Sequence, residues 1–328
     1  MQDAYGLLIA NLLSPIVIAF LIGMAATLVR SELEFPQPVL NAISIYLVFA
    51  IALKGGTELA AAGWGTIWKP ALAALAVAII LPIWIYWVTR KVLRMDVSNA
   101  AGIAALYGSV SSVTFLAALS FTAKLGNPAE PFLPLLVSVM EWGILVALLC
   151  ARVGLQREHS SGTLKLGEAL IDTLRGRSVI LLLGGLVMGY IIGEKGFQPI
   201  KIVFEDAFRG ILVLFLLEMG MVAARQFKDF LQLGPKLLAW GIFAPILHGL
   251  VGVLIGRACG LGVGGSFVFG AITASASYID APAAVRATLP NANPGIYLTS
   301  SLGITFPFNL IFGLPIYYGF ASWLFNRA

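Results

Sequence analysis

Two short polar clusters interrupt an otherwise apolar sequence. The first reads Tyr107-Gly108-Ser109-Val110-Ser111-Ser112-Val113-Thr114, and the second Thr273-Ala274-Ser275-Ala276-Ser277-Tyr278-Ile279-Asp280-Ala281-Pro282. Serine and threonine hydroxyls either donate to an oxyanion or ligate a hard cation through oxygen. A helix broken at each cluster frees backbone groups that must find partners, so such a break survives at membrane depth only when buried in protein or lining a wet cavity. The half-helices that begin after the breaks would aim free N–H groups and positive dipole ends at an anion. The freed carbonyls would suit a cation. The chemistry predicted is joint binding of a small oxyanion and Na⁺. The clusters offer the hydroxyls of serine and threonine, backbone freed at glycine, and one carboxylate, Asp280. The competing reading is that these hydroxyls bond back to their own helices or hold neighbouring helices together. Matched clusters at corresponding places in two halves of the chain favour a site.

The remaining ionisable groups in apolar surroundings are few. A carboxylate inside a span is costly and usually functional. Asp280 could ligate Na⁺, cap the helix that follows it two residues before Pro282, or do both. Glu141, Glu218 and Lys54 are candidate coupling groups. Lys54 aligns with Glu218 between the halves, so the two could pair, or Lys54 could reach out to the membrane surface. His248 is either a proton relay or a neutral histidine bonded within packed helices. Cys150 and Cys259 have neither metal-site spacing nor the number of a disulfide framework. The run Gly260-Leu261-Gly262-Val263-Gly264-Gly265 lacks the preceding strand of a dinucleotide fingerprint and reads as the flexible start of a helix. With no phosphate loop, zinc motif or covalent-catalysis motif, the chain reads as neither an enzyme nor an ATP-driven pump, and calls for no cofactor.

These residues need a scaffold, and the composition says which kind. Of 328 residues, 59% are hydrophobic and 11% charged, with a mean hydropathy of +0.93, against roughly 25% charged in soluble domains. A span needs about 20 apolar residues. Ten segments qualify: 5–29, 39–62, 71–88, 98–123, 132–150, 178–192, 207–224, 237–255, 263–287 and 295–320. The fold predicted is all-α and polytopic, with about ten transmembrane helices in two inverted five-helix repeats whose fourth and ninth helices are broken. The repeats are 1–152 and 178–328, joined by a polar cytoplasmic loop at 153–177. Thirteen of the 21 Lys and Arg fall in one alternate set of loops. The positive-inside rule then puts both termini outside an inner, plasma-type membrane. The net charge of +5 is scattered among loops and does not form the basic face a nucleic acid requires. Leu53-Lys54-Gly55-Gly56 with the Pro70 helix parallels Leu217-Glu218-Met219-Gly220 with the Pro235 helix, and inverted repeats are a usual construction of secondary transporters.

Three stretches carry a family resemblance: Leu106 to Ser112 with Ala117-Ala118-Leu119, Ala244-Pro245-Ile246-Leu247-His248-Gly249, and above all the segment from Ala274 through Pro290-Asn291-Ala292-Asn293-Pro294 to Ser300-Ser301. On these residues the sequence resembles the sodium-dependent bicarbonate transporter family. The resemblance implies Na⁺ and bicarbonate symport, an elevator-like core moving against a scaffold, a homotrimer, and a PII-like regulator on the cytoplasmic face; it also implies that Gly108, Ser109, Ser111, Ser112, Thr114, Ser275 and Ser277 bind the anion and that Ser111, Ser275 and Asp280 are the candidate Na⁺ ligands. Against the family pattern, the chain carries Tyr278 where an acid is usual, Asp280 where a serine is usual and Glu141 where an aspartate is usual. The alternatives are a Na⁺- or H⁺-coupled organic-anion symporter or antiporter, a membrane receptor without transport, and an intramembrane enzyme.

Overall fold

The computed structural model describes residues 6, 9, 11–61, 65, 67–158, 177–230, 234–278 and 280–327. Their secondary structure is helical, with no strand among them. In chain order the helices are α1 (Pro15–Leu28), α2 (Gln37–Ala61), α3 (Trp68–Lys91), α4 (Val97–Tyr107), α5 (Ser112–Lys124), α6 (Leu133–Met140), α7 (Gly143–Glu158), α8 (Arg177–Phe197), α9 (Phe208–Phe230), α10 (Gly234–Ala258), α11 (Val263–Thr273) and α12 (Asp280–Thr288). A last helical stretch, α13 (Pro294–Asn326), contains two π-helical passages, Thr299–Thr305 and Asn309–Gly313. All ten apolar segments expected from sequence overlap these helices. Seven stretches among the described residues are long and apolar enough to cross a membrane, and Pro15–Leu28 and Val263–Thr273 are shorter apolar helices. Most of the connecting loop expected at 153–177 lies outside the described residues.

Large apolar side chains such as Leu72, Ile80, Trp84, Trp87 and Phe243 point outward. In water such a surface would be an aggregation hazard. In a bilayer it is the face that lipid covers. Polar residues turn inward, and Ser109, Ser111, Thr114, Glu141, Ser275, Ser277 and Asn309 are all buried.

Two helix pairs are drawn together by glycine. A Cβ at Gly23 of α1 would lie 1.8 Å from the Leu217 carbonyl oxygen of α9, and one at Gly220 of α9 2.0 Å from that of Phe20. Between α2 and α8 the pattern repeats: a Cβ at Gly189 would lie 2.1 Å from the Leu53 oxygen, and one at Gly56 2.2 Å from that of Leu186. Small residues of this kind let helix backbones approach where lipid removes any hydrophobic drive to associate.

The glycine run before α11 has a steric purpose. The loop between α5 and α6 closes over it, and Glu130 Oε1 accepts the Gly262 amide at 2.6 Å. A Cβ at Gly265 would fall 1.6 Å from Glu130 Oε2, the movable end of that side chain. Gly265→Ala therefore expels the carboxylate. Loss of this N-terminal contact is expected to cost about 0.5–2 kcal/mol. Glu130→Ala should cost about the same. The double variant should be no less stable than either single one in thermal unfolding, because both remove one contact; additive losses would contradict this.

Candidate functional site

The first break follows from local chemistry. Helix α4 ends at Tyr107 with Gly108 as its C-cap, and Ser111, extended at φ −106° and ψ 115°, caps α5 by accepting the Thr114 amide at 3.1 Å. Gly108 is held from two sides. A Cβ there would lie 2.4 Å from Pro82 Cβ of α3, and one at Gly143 of α7 would lie 1.8 Å from the Gly108 oxygen. The second break separates Thr273 from Asp280, and Ser277 Oγ accepts the Ala281 amide at 3.2 Å. Asp280 is the first residue of α12, where a carboxylate also meets the positive end of the helix dipole.

The two breaks touch. The Ser111 amide donates to Ser275 Oγ at 2.9 Å, Ser275 Oγ donates to the Ile272 carbonyl at 2.7 Å, and the Ser277 amide donates to the Leu106 carbonyl at 2.8 Å. Each interrupted helix thus satisfies backbone groups of the other, which is how irregular backbone persists where water is scarce.

An acid joins them from a third interruption that the sequence did not reveal. The expected span 132–150 is divided at Glu141 and Trp142, between α6 and α7. Glu141, 2% exposed, accepts a hydrogen bond from Ser109 Oγ at 2.7 Å. It also lies close enough to Asp280 for the two charges to interact. Glu141, Ser109 and Asp280 thus bring oxygen-bearing side chains toward the two breaks, and acids inside a membrane span are usually functional.

The last helical stretch braces both breaks. Thr305 Oγ1 donates its one proton to the Gly241 carbonyl at 2.7 Å, so the Tyr107 hydroxyl must donate to Thr305 at 2.7 Å, and Ser300 to Tyr107 at 2.8 Å. Asn309 Nδ2 donates to the Ala274 carbonyl at 2.9 Å, while Asn309 Oδ1 accepts from the Tyr317 hydroxyl at 2.8 Å. Ser300 and Thr305 lie in one π-helical passage and Asn309 opens the other; such passages often mark functional sites. The bracing role of these residues was not read from the sequence. An asparagine within an apolar span was the available signal.

The other expected residues fall elsewhere. Lys54 and Glu218 are not brought together: Lys54 Nζ donates to Glu205 Oε1 at 2.7 Å, and Glu218 is buried on α9 with one carboxylate oxygen unpartnered. The Lys54–Glu205 pair borders a cavity of about 440 Å³, also lined by Leu119, Ser120, Glu130 and Arg209. A second cavity of about 270 Å³ shares Ser120 and Arg209. Both adjoin α5 beyond the first break and do not reach the crossing itself. His248, on α10, is buried with its ring centroid 6.1 Å from that of Trp240, and its Nε2 has no hydrogen-bond partner among the described residues.

The model of the Na⁺-dependent bicarbonate transporter superfamily matches residues 15–322, a range that contains both breaks, Glu141 and the bracing residues. No curated protein matches the chain.

Proposed function

Because the chain belongs to the Na⁺-dependent bicarbonate transporter superfamily, we propose that it couples Na⁺ entry to uptake of bicarbonate or a similarly small monoanion, with both solutes held where the two broken helices cross. The observation that carries this reading is the contact between the breaks beside two acids. Na⁺ would lie against Glu141, Asp280, Ser109 and freed carbonyls. The anion would face hydroxyls and amides at the start of α5 and in the second break. Each solute offsets the other's charge in a weakly screened interior, so each improves the other's binding.

Alternating access requires two bodies. The glycine contacts supply a candidate division: α1, α2, α8 and α9 form the close pairs, while α3 to α7 and α10 to α13 surround the crossing. The glycine pairs also support an inverted repeat, since Gly23 and Phe20 correspond to Gly189 and Leu186 by an offset of 166, and Gly56 and Leu53 to Gly220 and Leu217 by 164. Ser111 and Ser275, which bond across the breaks, are likewise 164 apart. In this reading α1, α8 and the interrupted α11–α12 complete ten crossings.

The test is uptake of labelled bicarbonate into proteoliposomes carrying the full chain. Accumulation is expected with an inward Na⁺ gradient and not when K⁺ replaces Na⁺. Equal signals under both conditions would defeat the coupling.

A further inference from the structure

The crossing has a second wall, and its chemistry differs from that of the acids. Tyr278 and Thr114 come from opposite breaks, and the hydroxyl oxygens of both are buried without a hydrogen-bond partner. They lie near one another but outside hydrogen-bond geometry, with the Ser111 hydroxyl and the Ala276 amide also near the Tyr278 hydroxyl. The Ser112 and Val113 amides in the first turn of α5 close on no carbonyl or side chain among the described residues. The Tyr278 ring is fixed edge-on against Phe306 at 5.1 Å between centroids, and Phe306 in turn meets Phe20 of α1 at 5.4 Å.

A buried hydroxyl without a partner forfeits the bonds it had in water. Two of them at one crossing, beside open amides, are unfavourable unless something accepts from them. The groups gathered here share one property: each can donate. A phenol, a threonine hydroxyl and backbone N–H groups converge at the positive end of α5, whereas Glu141 stands with Ser109 and interacts with Asp280. An oxyanion with several acceptor oxygens satisfies such a set, and a cation does not.

We propose that Tyr278 and Thr114 donate hydrogen bonds to the oxygens of the transported anion, and that Tyr278 is a specificity-determining residue of the site. The inference rests on the transport reading above and deepens it. Aromatic packing on Phe306 keeps the phenol pointing into the crossing, so its hydroxyl is held in place before the anion arrives. An anion lacking an acceptor at that position leaves the phenol unsatisfied and is discriminated against.

The test uses the full chain in proteoliposomes at saturating Na⁺, with bicarbonate half-saturation and maximal rate read separately. Tyr278→Phe keeps the ring and removes the donor. It is expected to raise the half-saturation for bicarbonate about ten- to a hundredfold, as loss of a hydrogen bond to a charged group does, with little change in maximal rate. Thr114→Val should act in the same direction, and the double variant should fall short of the product of the two. A purely structural tyrosine would instead lower the amount of folded protein without moving the half-saturation. Unchanged half-saturation in Tyr278→Phe overturns the proposal. If that variant does not insert, an unchanged value in Thr114→Val overturns it. Failure of the unsubstituted chain to accumulate bicarbonate on a Na⁺ gradient defeats the transport reading itself, before any substitution, and the inference falls with it.

Discussion

Glu141→Gln is expected to weaken Na⁺-driven uptake severely at low Na⁺ while leaving the protein folded. Glutamine is nearly isosteric and can still accept from Ser109, so the junction between α6 and α7 keeps its hydrogen bond. What disappears is the group there that can turn negative opposite a bound Na⁺ without leaving Ser109. At about 4 Å and an effective dielectric of about 20, a negative charge attracts a cation by about 4 kcal/mol, and a third of that is already about tenfold in affinity. A rise of at least about tenfold in the Na⁺ half-saturation is therefore the expected result, read from uptake across a Na⁺ titration. Glu218→Gln is the control. Glu218 is also buried and acidic, but it lies on α9, outside both breaks, and its substitution should leave the Na⁺ half-saturation where it was. Equal effects in the two variants would mean that intramembrane charge matters to this chain only in general.

The second large effect is steric. Gly143→Ala would place a methyl group 1.8 Å from the Gly108 carbonyl oxygen. A backbone atom flanked by Pro82 cannot step aside as a side-chain end does. Overpacking commonly costs about 1–3 kcal/mol and occasionally more, and this contact belongs at the upper end. Either the fold is lost or Gly108 moves, and with it Ser109 and its bond to Glu141. Detergent melting should fall by several degrees, and any protein that survives should transport poorly even at high Na⁺. Gly184→Ala on α8 meets nothing within 4 Å and should be neutral or slightly stabilising, since alanine is favoured over glycine in a helix interior by about 1 kcal/mol. A Gly143→Ala variant as stable and active as Gly184→Ala would contradict the packing argument.

The helical class and both breaks were legible because they are written in local chemistry. Apolar runs report spans, and clusters of Gly, Ser and Thr followed by capping residues report where a helix cannot continue. The break sites lie within the clusters named from sequence, and Ser111 and Ser275 touch as a paired site requires. What was not legible depends on distance in space. Nothing around Lys54 announces Glu205, which follows 151 positions later on a π-helical turn, so alignment of the halves suggested Glu218 instead. The interruption at Glu141 was hidden because Glu-Trp-Gly gives no proline and only one glycine. Asn309 and Thr305 belong to no cluster in the sequence; only the fold sets them against Ala274 and Tyr107. The Gly260 to Gly265 run read as a flexible helix entry, with no sign in the sequence that Gly265 makes room for Glu130 and Gly264 for the Asn127 carbonyl.

The account turns on a cation and an anion sharing one crossing, and the most direct measurement is bicarbonate affinity as a function of Na⁺. Titration of the purified full chain with bicarbonate, in choline and then at rising Na⁺, should show affinity increasing by about 5- to 150-fold, with an equal gain for Na⁺ when bicarbonate is present. Bicarbonate affinity that stays constant across the Na⁺ series would contradict the shared site.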